Sequence, residues 1–304
     1  GDHRDLHKEY RRQRQMCIRD RDILAGAQTG TGKTAAFALP ILNRLQQSDS
    51  MKRTVRALIL TPTRELAAQV NNSFRTYGIA LPFKTIEIFG GVSMRPQKSK
   101  LKKGVDIVVA TPGRLLDHLN QNTIDLSGVE VFVLDEADRM LDMGFLPDVK
   151  KIHSSITKNS QTMLFSATMP IEIQRLTKTF LKNPVKVEVT PPSSTVDKID
   201  QRVLFVDREN KGALLKSVLE DTTIERALIF ARTKHGANKI VKNLSKIKIR
   251  ADAIHGNKSQ AARLEALNKF KSGKIRVPVA TDIASRGIDV DGITHVINYE
   301  LPLS

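Results

Sequence analysis

The chain has 304 residues, 40% of them hydrophobic, enough to bury a core over a length that suggests two domains. Forty-nine Lys and Arg against 32 Asp and Glu leave a net charge of +17, which predicts a polyanionic partner: RNA, DNA or an anionic membrane. One cysteine, Cys17, excludes an intrachain disulfide and a Cys-rich metal site, and 5% aromatics with no Trp disfavour binding by base-stacking platforms.

Along the chain, Asp22-Ile23-Leu24-Ala25 reads as a strand and Ala35 to Leu39 as the start of a helix. Between them lies Ala27-Gln28-Thr29-Gly30-Thr31-Gly32-Lys33-Thr34, a Gly-Lys-Thr loop in the strand-loop-helix context that phosphate cradling requires. Further strand candidates are 57–60, 86–89, 107–110, 131–134 and 163–165, apolar runs with few polar breaks, separated by helical patterns. That alternation indicates a parallel sheet covered on both faces. Asp135-Glu136-Ala137-Asp138 closes the run Val131 to Leu134. A short acidic stretch after a strand is usually only a solvated helix start. Together with the Gly-Lys-Thr loop it supplies the second half of a magnesium-nucleotide site.

Thr190 to Thr195, rich in Pro and Ser, reads as a linker. A second α/β unit follows, with strands at 203–206, 228–230 and 296–298. One of its helices places Leu214, Leu215, Val218 and Leu219 on one face, and another turns Leu264, Leu267 and Phe270 inward. Pro278, inside Val277-Pro278-Val279-Ala280, deletes a ladder donor and is of a type normally confined to edges, so a sequence error or a local bulge is expected there. From Lys198 onward there are 20 Lys and Arg against 12 Asp and Glu, so both halves share the positive charge. No apolar run approaches the ~20 residues that span a bilayer and no signal peptide opens the chain, so a cytoplasmic setting without a membrane partner is expected.

Further blocks follow in order: Pro62-Thr63-Arg64-Glu65-Leu66-Ala67, Gly90-Gly91, Thr111-Pro112-Gly113-Arg114, Ser166-Ala167-Thr168, Gln260-Ala261-Ala262-Arg263 and Ala280 to Asp289. With the two motifs above, they make the chain resemble a DEAD-box ATP-dependent RNA helicase of the bacterial RhlE type, from Asp22 to its end. The resemblance implies two tandem RecA-like domains with parallel sheets, the P-loop NTPase arrangement of helicase superfamily 2. Expected boundaries are 22–189 for the ATP-binding domain, 190–197 for the linker and 198–304 for the C-terminal domain. Residues 1–21 match nothing in the family's adenine-reading segment and resemble translated adapter sequence, so they are expected to be a non-native or disordered leader. The family's arginine-rich motif does not follow Glu300, so the second domain is expected to be incomplete and its activity impaired.

ATP and magnesium are the cofactors implied. Ala27, Thr29, Gly30, Thr31, Gly32, Lys33 and Thr34 would hold the phosphates, Lys33 neutralising them, and Thr34 with Asp135 would hold the metal. Glu136 would orient and deprotonate the attacking water, and Asp289 would meet the ribose. Ser166 and Thr168, alone only strand-end hydroxyls, become the element coupling hydrolysis to domain closure, with Asp138 pairing to the second domain. RNA, bound by a monomer through phosphates and 2′-hydroxyls, would touch Thr63, Arg64, Gly91, Thr111, Gly113 and Arg114. In the second domain it would touch Thr233, Gln260, Arg263 and Thr281. Two other readings stay open: a DNA-directed translocase, and a nucleic-acid-binding module with little ATPase activity.

Overall fold

The computed structural model describes residues 21–27, 32–47, 54–157, 159–188, 200–221, 223–281 and 292–300. The chain divides into two units, residues 1–199 and 200–304. The expected leader, apart from Arg21, and the expected linker lie outside the described residues.

In the first unit the apolar runs form β1 (Ile23–Gly26), β2 (Ala57–Leu60), β3 (Thr85–Ile88), β4 (Ile107–Ala110), β5 (Val131–Leu134), β6 (Gln161–Ser166) and β7 (Val185–Glu188). They make one sheet in the order β3-β4-β2-β5-β6-β1-β7, and every neighbouring pair is parallel. Parallel strands need crossovers, and the helices supply them. They are α1 (Lys33–Gln47), α2 (Arg64–Tyr77), α3 (Met94–Lys102), α4 (Pro112–Asn120), α5 (Ala137–Asp142), α6 (Leu146–Ser154) and α7 (Ile171–Phe180).

Successive strand residues face opposite sides, so continuous apolar runs feed two cores. Leu58, Leu60, Val108, Phe132 and Leu134 enter one, and Ala57, Ile59, Val109, Val131 and Val133 the other. In the second core, the ring of Phe37 lies 5.3 Å from that of Phe165 and 6.2 Å from that of Phe74. This aromatic contact fixes α1, whose first turn carries Lys33 and Thr34, against β6 and α2.

Asp22 pins the opposite end of β1. Its Oδ1 accepts the N–H of Thr162 at 2.7 Å and its Oδ2 that of Lys182 at 2.6 Å, while its carbonyl accepts the N–H of Val185 at 2.8 Å. One buried carboxylate therefore ties together the amino ends of β1, β6 and β7.

The second unit has β8 (Ala227–Ala231), β9 (Ala251–Ile254), β10 (Val277–Thr281) and β11 (His295–Asn298), in the parallel order β11-β8-β10-β9. Its helices are α8 (Lys211–Glu220), α9 (Lys234–Lys246) and α10 (Gln260–Lys271). Leu215 and Leu219 of α8 and Leu267 and Phe270 of α10 are buried, with Leu214, Val218 and Leu264 partly so.

Two expectations fail here. Residues 203–206 form no strand, and Phe205 is 95% exposed. Apolar β-propensity alone does not make a strand; a hydrogen-bonded neighbour is needed, and none of the described strands pairs with this segment. Pro278 sits in an interior strand without a bulge, its register unbroken from Val277↔Ala251 to Ala280↔Ile254. The ladder from β10 to β8 starts only at Val279, one residue past the proline. The missing donor shortens one ladder and leaves the other whole. No helix among the described residues is long and apolar enough to cross a membrane.

Replacing Asp22 by Ala removes the acceptor of the buried Thr162 N–H and of the part-buried Lys182 N–H, at an expected cost of about 1–3 kcal/mol. Urea unfolding followed by circular dichroism measures it; an unchanged midpoint would show that the carboxylate holds nothing.

Candidate functional site

The carboxyl ends of β1, β5 and β6, which are neighbours in the sheet, carry the phosphate-site candidates. Ala27 is buried just past β1, and its N–H donates to the Ser166 carbonyl at the end of β6 at 3.1 Å. Gly32 takes φ +78°, a left-handed value open to glycine, and its carbonyl accepts the Ala36 N–H as α1 begins. Lys33 and Thr34 follow in the first turn, where helical N–H groups lack intrahelical acceptors and favour an anion. Thr29, Gly30 and Thr31 lie outside the described residues.

Lys33 Nζ stands 3.7 Å from Asp135 Oδ1. Asp135 is 2% exposed, and this oxygen is buried with no hydrogen-bond partner. Burial pushes the Asp135 carboxyl above the ordinary carboxylate range, and the Lys33 ammonium pulls it part of the way back. Glu136 is also buried and raised mainly by desolvation, with Arg139 acting against the rise. Arg139 Nη1 donates to Glu136 Oε2 at 3.0 Å. Glu136 takes φ +56°, left-handed backbone that costs a non-glycine residue roughly 1–2 kcal/mol. It makes no side-chain cap bond to α5, so the ordinary helix-start role is not the one it fills.

Asp138, Ser166 and Thr168 form one network. Asp138 Oδ2 accepts the Thr168 N–H at 2.8 Å and its hydroxyl at 2.9 Å, Ser166 Oγ donates to the Thr168 carbonyl at 2.7 Å, and the Asp138 N–H donates to Ser166 Oγ at 3.2 Å. Within the first unit, Asp138 bridges the ends of β5 and β6. Its carboxylate is spent on Thr168, one strand away.

The other half of the same rim, at the ends of β3, β4 and β2, gathers the first-unit RNA candidates. Thr63 Oγ1 accepts the Leu66 N–H at 3.2 Å and caps α2, which leaves its own proton to donate. Thr111 begins α4 without such a bond. Gly91 has φ +76°, and a Cβ there would collide with the Arg64 guanidinium. The guanidinium could shift, but the left-handed backbone itself favours glycine. Gly113 differs: a Cβ there would meet nothing within 4 Å, so its backbone is open. Arg114 Nη1 donates to the Val92 carbonyl at 3.0 Å, and its Nε lies 3.4 Å from Asp117 Oδ2. It makes the surface ion pair and also braces the Gly90-Gly91 loop.

In the second unit, Thr233 caps α9, its Oγ1 accepting the Gly236 N–H at 3.0 Å. Gln260 and Arg263 lie in the first turn of α10, and Thr281 ends β10. Asp289 lies outside the described residues.

Three contributors escaped sequence reasoning. Arg139 faces Glu136 at an i,i+3 spacing, a signal present but unread. Gln97 donates to the Phe89 carbonyl at 3.0 Å and meets His118 Nε2 at 3.1 Å, while His118 Nδ1 reaches Thr123 Oγ1 at 2.7 Å. This chain fastens the Gly90-Gly91 loop to α4 from below. Burial, then Arg114 and Lys98, holds the His118 pKa below the usual imidazole value. Among the described residues no group of three or more His, Cys, Asp or Glu could hold a metal alone. A hard cation sharing its shell with phosphates and water needs fewer protein ligands, and the unpartnered Asp135 oxygen fits one.

A family model described as DEAD/DEAH box helicase matches residues 11–176, and one described as helicase conserved C-terminal domain matches residues 210–304. The DEAD-box ATP-dependent RNA helicase RhpA of Helicobacter pylori is 41% identical over 287 residues, covering 94% of this chain and 58% of that protein. CshA of Geobacillus kaustophilus is 42% identical, covering 94% and 61%. The chain thus spans about three-fifths of the length of these curated relatives. The solved structure of S. cerevisiae Dbp5 bound to RNA and ADP BeF3 is 28% identical, with a TM-score of 0.82 over 97% of this chain and 75% of that one.

Both acidic groups titrate higher in the folded chain than in the unfolded one, so their contribution to stability falls as pH rises from the ordinary carboxylate value through the folded values. The double variant D135N/E136Q removes both titrations. Its melting temperature minus that of the parent should therefore grow more positive as pH rises above the ordinary carboxylate range. Thermal melts without nucleotide measure this, and a flat or shrinking difference would mean that Lys33 and Arg139 outweigh burial.

Proposed function

The chain belongs to the DEAD/DEAH box helicase family, and we propose that it is an RNA-dependent ATPase that uses ATP to separate short RNA duplexes or remodel RNA–protein complexes. The observation that carries the reading is the buried, unpartnered Asp135 oxygen 3.7 Å from the Lys33 ammonium at the start of α1. An ammonium, free helical N–H groups and a hard-metal ligand converge there, which is the equipment that phosphoryl transfer needs.

Lys33 neutralises the outer phosphates, helped by the N–H groups from Thr29 to Thr34, with Ala27 closing the cradle and Asp289 on the ribose. Thr34 and Asp135 would hold magnesium, which when bound shields phosphate charge and orients the terminal group. Glu136 accepts the proton of the attacking water as the new P–O bond forms and the bond to the ADP oxygen breaks. Desolvation of Glu136 strengthens it as a base, and Arg139 must yield that carboxylate for it to act. The Asp138–Thr168–Ser166 network joins the strand bearing Glu136 to β6, so a change at the phosphates is felt there.

RNA is held along the rest of the rim by hydroxyl, guanidinium and open backbone: Thr63, Arg64, Gly91, Thr111, Gly113 and Arg114. In the second unit Thr233, Gln260, Arg263 and Thr281 take the same part. These groups address phosphate and sugar rather than base edges, so the binding is independent of sequence. Family membership and the likeness to a structure solved with RNA support RNA over DNA.

ATP hydrolysis measured with RNA, with DNA of equal length and with neither tests this. RNA should stimulate most, and Glu136→Gln should lower the stimulated rate by about 10²–10⁴-fold while nucleotide binding persists. Equal stimulation by DNA would favour a DNA-directed motor, and an unaltered rate in the variant would remove Glu136 as the base.

A further inference from the structure

Two helices, one in each unit, stand apart in their charge. From Val92 to Gly104, spanning α3, there are five basic residues and no acidic one. Along α9, from Lys234 to Lys246, there are four lysines and one histidine, again with no acid. Within each helix three basic residues repeat at the same spacing: Arg95, Lys98 and Lys102 on α3, and Lys239, Lys242 and Lys246 on α9. Steps of three and four residues put each trio on one stripe. All are exposed except Lys98, which is partly buried.

Some solvated helix faces of this chain pair their lysines. Lys216 meets Glu220 at 3.7 Å on α8, and Lys269 meets Glu265 at 2.7 Å on α10. None of the six stripe residues forms an ion pair with a described residue. Like charges three and four residues apart destabilise a helix, so the arrangement is a liability without a polyanion to offset it.

Placement supplies the second argument. Helix α3 leaves the Gly90-Gly91 loop at the end of β3, and α9 leaves Thr233 at the end of β8. Each stripe thus starts at a candidate RNA contact and leads away from the strand ends down the side of its sheet. Each spans about 10 Å, room for roughly three phosphates of a stacked strand.

We propose that these two stripes are RNA-binding tracks beyond the motif residues, each guiding the backbone of a strand that continues past the central grip. The inference rests on the RNA reading above and deepens it: the site is longer than the motifs, and the extra length is purely electrostatic.

Two charge-reversed chains test it, R95E/K98E/K102E and K239E/K242E/K246E, with the Gln versions of each in case reversal disturbs folding. Binding to oligouridylate of about 8 and about 24 nucleotides is followed by fluorescence anisotropy over a salt series. Each variant should keep the short RNA within about threefold and lose at least about tenfold on the long one, with its log-log salt slope shallower by about 2. Long-RNA affinity and slope equal to those of the parent would overturn the proposal. So would an equal loss on the short RNA, which would place the stripes inside the central grip. A parent chain that binds neither RNA would instead overturn the RNA reading itself.

Discussion

A carboxylate oxygen shut away from water with one ammonium 3.7 Å off is the constraint around which the first unit is organised. Lys33 follows β1 and Asp135 follows β5, with β6 between them in the sheet. Parallel strands about 4.8 Å apart bring the two strand ends within roughly 10 Å, a gap that a lysine side chain can cross. Asp22 at one end of β1 and the aromatic contacts of Phe37 on α1 hold that geometry. Burying a charge without full hydrogen bonding is unfavourable, so the rest of the core must outweigh it.

The strand order then divides the work along one rim. The ends of β5, β6 and β1 carry the residues proposed for the phosphate site, and those of β3, β4 and β2 carry the residues proposed for nucleic acid. Both sets lie at carboxyl ends of parallel strands, where open α/β sheets generally place ligands. The Asp138–Thr168–Ser166 bonds belong to the first set, and the buried Gln97–His118–Thr123 chain supports the second.

Much of this was legible in the sequence where burial is complete. Strands 57–60, 107–110 and 131–134 are continuous apolar runs, and a strand covered on both faces has to be one. Val185–Glu188, half-buried at the sheet edge, alternates too briefly to stand out. Residues 203–206 carry the right composition, yet pairing depends on a neighbour that composition does not encode. In the site, Lys33 and Asp135 could be picked out by local spacing, and the structure brings them together. Asp22 and the Gln97–His118 pair could not, since each acts through residues distant in the chain.

The Arg139–Glu136 bond occupies one oxygen of the carboxylate to which the proposed function gives the role of base. In the reaction proposed above, the guanidinium 3.0 Å from Glu136 has to leave that carboxylate before a proton can be taken up.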